Sequence, residues 1–248
     1  MKRIKNKLLI IILIILLVGP TIVLFRHEVD FKSHWSNADR TSANLAPDPK
    51  TNPEAVVQIY AARTYNWRGL FAVHTWIALK PKNADQYLVY QVIGWRKYWH
   101  LPVYEKEHDI PDRIWFGNKP WLLKEIRGNA AEILIPKVQA AIAAYPYKET
   151  YYYWPGPNSN TFTAFVGRAV PELHLALPSI AIGKDYLGFW RIFAKAPSNT
   201  GYQFSLLGML GILIAQKEGI EINIFGMVYG ISFKPFGIII PGLGKITL

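Results

Sequence analysis

Residues Leu8 to Phe25 form an uncharged run of 18 positions, LLIIILIILLVGPTIVLF, preceded by Lys2, Arg3, Lys5 and Lys7. As a helix such a run is about 27 Å long, close to the hydrocarbon thickness of a bilayer. It predicts one N-terminal transmembrane helix over residues 8–25. The Gly19-Pro20 pair is tolerable there, because neighbouring groups in a membrane protein re-satisfy the freed backbone. A basic segment before an apolar one also fits a signal peptide, but no A-x-A-like cleavage site follows Phe25 closely, which favours an uncleaved anchor. The basic flank, residues 1–7, is expected to stay in the cytoplasm, with everything after Arg26 outside. The partner implied is the lipid bilayer, and the location a single-pass protein of the bacterial inner membrane with its C-terminal domain in the periplasm.

The 248 residues are 51% hydrophobic and contain no cysteine. That supports one sizeable domain with a core that needs no staples, and it excludes disulfide frameworks, thiolate metal sites and cysteine nucleophiles. The net charge of +11 would suggest nucleic acid if it gathered on one face. Five of the 28 basic side chains lie within residues 1–26, which hold no acid, so only +6 is spread over the rest. Much of the excess is topology, and no nucleic-acid partner is expected.

Residues 26–53 are polar and rich in Asp, Asn, Ser and Pro, and read as a linker with Trp35 as its apolar contact. Ala55–Ala62, Leu70–Leu79 and Tyr87–Trp95 are β-branched or aromatic runs bounded by turn residues, hence three sequential strands. Leu101–Pro120 reads as a long connection. Trp121–Tyr145 turns helical in period, with Pro136 expected to kink or restart it, and a second helix is expected over Thr161–Glu172. Residues 201–248 repeat short apolar runs punctuated by glycine and predict a β-meander packed on a core over 54–200. Within them Phe204–Ile214, at 11 residues, is too short to span and reads as a buried strand or interfacial segment. The fold class is α+β.

Two places concentrate reactive side chains. His74 lies mid-strand, where period-two alternation puts it on one face with Ala72 and Trp76. Ser159 lies just before a helix, where unsatisfied N–H groups and the positive end of the dipole favour an alkoxide-like nucleophile and its oxyanion. An imidazole within reach would supply the general base a serine needs. Each also has a plainer reading: PNSN is a good capping segment, and a lone strand histidine is often a satisfied core residue. The six histidines show no His-x-His or HExxH spacing, so neither a metal nor another cofactor is expected. The Tyr151–Trp154 cluster reads as an edge strand or as the wall of a substrate groove.

The strings VQIYAARTYNWRGLFAVHTWIALK, YQVIGW, PGPNSNTFTAFVGRAVPEL and EGIEINIFGMVYGISFKPFGIIIPGLGKI resemble an uncharacterised bacterial family known as domain of unknown function 3750. More distantly, HTWIALK followed by YQVIGW and later NSNTF is similar to circularly permuted papain-like domains of the NlpC/P60 type. That resemblance implies an antiparallel sheet with packed helices, His74 as base, Ser159 in the nucleophile position and Gln91 orienting the histidine. It puts Asn158, Asn160, Trp76 and Trp154 at the oxyanion site and groove. Ser159 stands where that pattern has cysteine. The function expected is a Ser/His hydrolase or acyltransferase acting on amide or ester bonds in the cell envelope. The alternatives are an inactive domain that binds a peptide, glycan or lipid ligand, or a structural envelope protein.

Overall fold

The computed structural model describes residues 2–248, with the side chains of Lys7 and of residues 14–248. The N-terminal helix α1 runs from Lys2 to Phe25. Most of the side chains of the expected anchor's first half lie outside the described residues; among the described residues no helix is long and apolar enough to cross a membrane. Near its C-terminal end α1 meets the turn at Pro241–Leu243. A Cβ at Gly19 would fall 1.8 Å from the Pro241 carbonyl oxygen, so only glycine permits this backbone-to-backbone approach.

A five-stranded antiparallel sheet forms the centre, from β1 (Val56–Arg63), β2 (Val73–Lys80), β3 (Leu88–Val92), β4 (Tyr104–His108) and β5 (Trp121–Arg127), in the order β4-β3-β2-β1-β5. The three expected strands are present. β4 lies inside the stretch expected to be a long connection, where Tyr104-Glu-Lys-Glu-His108 pairs with β3 at the sheet edge. β5 replaces the start of the expected helix: Trp121–Arg127 pairs with β1, because an open edge there binds a segment whose local period is ambiguous. The helix that follows, α2 (Gly128–Ala143), runs through Pro136 without restarting, and buries Ala131, Leu134, Ile135, Val138, Ala141 and Ile142 at three- and four-residue spacing.

Helix α3 (Ser159–Ala169) begins two residues before the expected start. Asn158 is its N-cap and accepts from the Asn160 and Thr161 N–H groups, while the Thr161 hydroxyl accepts from the Asn158 N–H, a reciprocal capping box. α2 and α3 cover one face of the sheet, on Val57, Ile59, Val73 and Ile77. The opposite face is also buried, with Tyr60, Trp76 and Val89 under Ala38, Trp115 and Phe116. The expected linker over 26–53 therefore belongs to the fold. Trp35 is more than half exposed, and the contacts come instead from Asp112, whose carboxylate accepts from the Ser42 hydroxyl and the Leu45 and Ala46 N–H groups.

The second sheet is a seven-stranded antiparallel meander: β6 (Phe193–Lys195), β7 (Gly201–Leu206), β8 (Leu210–Ala215), β9 (Gly219–Ile224), β10 (Met227–Phe233), β11 (Phe236–Ile240) and β12 (Gly244–Thr247). It begins before residue 201, and Phe204–Ile214 is two strands joined by a turn. Its inward face carries a buried polar cluster. Lys184, fully buried, donates to Glu221 at 2.5 Å and Asp185 at 3.1 Å, and Asn223 donates to Asp185 at 2.9 Å. Burial pushes the Glu221 carboxyl up to about 7 against the pull of Lys184, whose own ammonium the two carboxylates hold above its ordinary range. Removing the cation strands two buried carboxylates. Lys184→Met is expected to lower stability by about 3–5 kcal/mol in chemical denaturation, and adding Glu221→Leu to recover part of the loss.

Candidate functional site

The Asn158-Ser159-Asn160 triplet sits where α3 meets the start of β2. Asn160 Nδ2 donates to Val73 O at 2.9 Å and Ile182 O at 2.8 Å, and its Oδ1 accepts from the Thr75 hydroxyl at 3.0 Å. Asn158 Nδ2 donates to Ile182 O at 3.0 Å and Tyr153 O at 3.2 Å. Both asparagine side chains are thereby committed to the framework, leaving no amide donor for an oxyanion. The free donor at this helix end is the Ser159 backbone N–H, which has no hydrogen-bond partner among the described residues.

His74 and Ser159 line one cavity of about 490 Å³. Its walls are chiefly apolar and aromatic, including Trp67, Phe71, Trp95, Trp115, Tyr153 and Met227, and Arg68 is the one charged side chain among them. Val73 and Thr75 face α3 while His74 extends from the opposite side of β2. The cavity nonetheless reaches both sides, since Val73 and His74 both line it. β3 pairs with β2 only at Ile77–Leu79, so the β2 edge beside His74 is left open.

The His74 ring stacks on Trp115 with centroids 3.8 Å apart. Its Nε2 lies 3.0 Å from Gln91 Oε1. Gln91 Nε2 in turn donates to Glu105 Oε2 at 2.6 Å, across the directly paired positions of β3 and β4. A carboxylate only accepts, so the Gln91 amide nitrogen must face Glu105 and its oxygen must face His74. That oxygen also only accepts. The proton therefore sits on Nε2, and the Nδ1 lone pair is bare, with no partner among the described residues. Burial, with Glu107 nearby, holds the Glu105 carboxyl above its ordinary range despite the ion pair with Arg96. Burial pushes the imidazole down to about 4, against the opposing hydrogen bond to Gln91.

The structure thus brings His74, Gln91, Ser159, Asn158 and Asn160 into one region, and Trp154 joins the cavity wall while donating to Phe225 O at 2.9 Å. Trp76 does not line the cavity. It is buried between Tyr60 and His74 with its Nε1 donating to Pro111 O, a core role set by strand alternation. Sequence reasoning missed Glu105, Arg96, Trp115 and Arg68. Among the described residues no group of three or more His, Asp or Glu side chains is arranged to hold a metal ion.

Residues 54–186 match the model of a family described as a protein of unknown function (DUF3750). The chain belongs to this family. The DUF3750 match takes in the first sheet, α2, α3 and every polar residue of the cavity, and it ends before β6. No curated protein and no solved structure matches the chain.

The neutral state of His74 has a measurable consequence. Its folded pKa lies below the ordinary 6.5, so in acid the unfolded chain takes up a proton that the folded chain refuses. The stabilisation is fully present above 6.5 and is lost as the pH falls from there to about 4. Urea unfolding across that window is expected to show a loss on the order of 3 kcal/mol that is absent in His74→Gln, read as the difference between the two proteins.

Proposed function

We propose that this chain is a membrane-anchored envelope protein, held by a single span over residues 8–25, whose cavity carries out serine–histidine acyl chemistry as a hydrolase or acyltransferase. One observation carries the reading: Ser159 and His74 line the same largely apolar cavity, with Nε2 of the imidazole fixed by Gln91. In the proposed step Ser159 Oγ attacks the carbonyl carbon of an ester or amide, and its proton passes to His74 Nδ1. The Ser159 N–H at the positive end of α3 receives the developing oxyanion. Collapse expels the alcohol or amine, which takes the proton back from His74. Water or an acceptor hydroxyl then releases the acyl group by the same sequence in reverse.

The order of parts supports a permuted papain-like arrangement: a histidine on one strand, a polar orienting residue on the next, and the nucleophile at the start of a helix packed on the sheet. The aromatic walls and Arg68, whose guanidinium lies 5.0 Å from the Tyr153 ring centroid, suit an acyl substrate with an apolar body and an anionic end. A second reading, ligand binding without turnover, draws on one feature: α3 and the His74 ring occupy opposite faces of β2.

A fluorophosphonate probe separates the two. The proposed chemistry requires labelling of the wild-type chain, none of Ser159→Ala, and a rate about 10²- to 10⁴-fold lower for His74→Ala. Since His74 stays unprotonated down to about 4, the labelling rate should hold through pH 6.5 and fall only near that value. An unlabelled wild type that still binds a fluorescent fatty acid, displaceable by unlabelled acid, establishes the second reading.

A further inference from the structure

The second sheet is built inside out for a protein in water. Its polar side chains, Gln203, Ser205, Glu221, Asn223 and Ser232, point inward and are buried beside a few small or aliphatic ones such as Leu213, Val228 and Ile239, while all its aromatic and most of its aliphatic side chains point outward. The register makes the outward face continuous. One row runs Tyr202, Ile214, Ile220, Ile231, Ile238 and Ile246 across β7 to β12. A neighbouring row runs Phe193, Phe204, Ile212, Ile222 and Tyr229 across β6 to β10. Six strands at about 4.8 Å spacing make this face about 24 Å wide. From Tyr202 to Ile238 no outward strand position carries a charged or amide side chain. Such a surface is well beyond the patch of about 300–600 Å² that a monomer in water usually leaves open.

What surrounds the patch identifies its occupant. Between Phe189 and Leu248 all five cations are exposed. Arg191 on the approach to β6, Lys195 at the register position opposite outward Tyr202 and Lys234 in the β10–β11 turn stand beside the face. Lys217 instead turns back to donate to His174 O, and Lys245 holds an inward register position on the edge strand β12. The two acids of that stretch, Glu218 and Glu221, are buried. Trp190 and Phe225, both more than half exposed, stand beside the face at its approach and at the β9–β10 turn. An apolar field bordered by cations and by the amphipathic ring of Trp190 matches the layering of an anionic bilayer surface, with acyl chains below and phosphates above. Two copies meeting through this face would bring their cations together, which disfavours self-association. The apolar helix also arrives at this sheet, where Gly19 and Pro20 of α1 contact the turn between β11 and β12.

We propose that the outward face of the second sheet lies on a lipid bilayer and binds anionic headgroups through its basic border. This docking is distinct from the span over residues 8–25 and does not depend on the chemistry at Ser159. It has one consequence for that chemistry: Met227, at an outward position of β10, also lines the cavity, so a docked sheet sets the cavity against acyl chains.

The absence of cysteine makes the test direct. Ile222→Cys in the full chain supplies a single thiol for an environment-sensitive nitrobenzoxadiazole label, and Asp85→Cys, in the exposed loop between β2 and β3, supplies the control. In phosphatidylethanolamine–phosphatidylglycerol vesicles, the label on Ile222→Cys should shift to the blue and be quenched by doxyl lipids several-fold more than the control. Replacing phosphatidylglycerol by phosphatidylcholine, or introducing Lys195→Glu with Lys234→Glu, should reduce that quenching while the protein still floats with the vesicles. Far-UV circular dichroism confirms that the labelled chain is folded. A label on Ile222→Cys no more quenched than the control overturns the proposal, because an anchored chain would then be holding its sheet away from the lipid. An efficient disulfide crosslink between two unlabelled Ile222→Cys chains, without quenching of the labelled one, overturns it in favour of a second copy.

Discussion

The carbonyl of Ile182 accepts from two asparagine side chains at once, Asn158 at 3.0 Å and Asn160 at 2.8 Å, and much of the molecule is held at that point. Asn158 caps α3, and Asn160 ties the same helix end to the Val73 carbonyl of β2. Ile182 belongs to the segment that leads from the helical layer to the second sheet. The segment's next residue is as tightly set: a Cβ on Gly183 would lie 2.3 Å from Asn158 Nδ2 at a φ of +100°, so both space and backbone demand glycine. One carbonyl and two amides therefore fix the helix start, the strand and the connection together. Ser159 is positioned because its neighbours on both sides are spent on structure.

The same economy explains why the asparagines are poor candidates for the oxyanion site that resemblance gave them. Their amide hydrogens are all engaged in a buried setting, where losing a partner costs about 1–3 kcal/mol per group. A reaction that borrowed one would have to break the clamp that holds Ser159. The Ser159 N–H carries no such duty. It is one of the donors that helix geometry leaves unpaired, and capping by Asn158 satisfies the N–H groups of Asn160 and Thr161 but not this one.

How much of this was legible depended on whether the signal was local. β1 to β3 were readable because their β-branched runs end in turn residues, and the C-terminal meander because its glycines punctuate alternating segments. β4 was not: Tyr104-Glu-Lys-Glu-His108 has no apolar alternation and becomes a strand through an open edge on β3. β5 was lost for a related reason, since its period merges with that of α2. At the site, His74 and Ser159 stood out by residue type, and Gln91 by its place on the next strand. Glu105 carried no signal until the β3–β4 register set it opposite Gln91. The alternation in β9 and β10 was visible, but alternation does not say which face is buried. The deciding fact is the Lys184 cluster, which claims the polar face for the interior.

On the proposed chemistry, the electrostatics of His74 also say what kind of bond the cavity can break. No carboxylate touches the imidazole; the nearest reaches it through the Gln91 amide, and burial keeps the ring near 4. Such an imidazole is a weak base toward a serine hydroxyl and, once protonated, a strong acid toward a leaving group. Attack becomes the difficult half of the reaction, and expulsion the easy half. Esters and thioesters, whose carbonyls are more electrophilic than those of amides, fit that balance. So does the apolar lining, which gains by burying an acyl chain what the weak base forgoes in attack. The substrate most consistent with both the charge state and the lining is therefore an activated acyl group on an apolar chain, supplied from the side of the cavity that Met227 shares with the outward face of the second sheet.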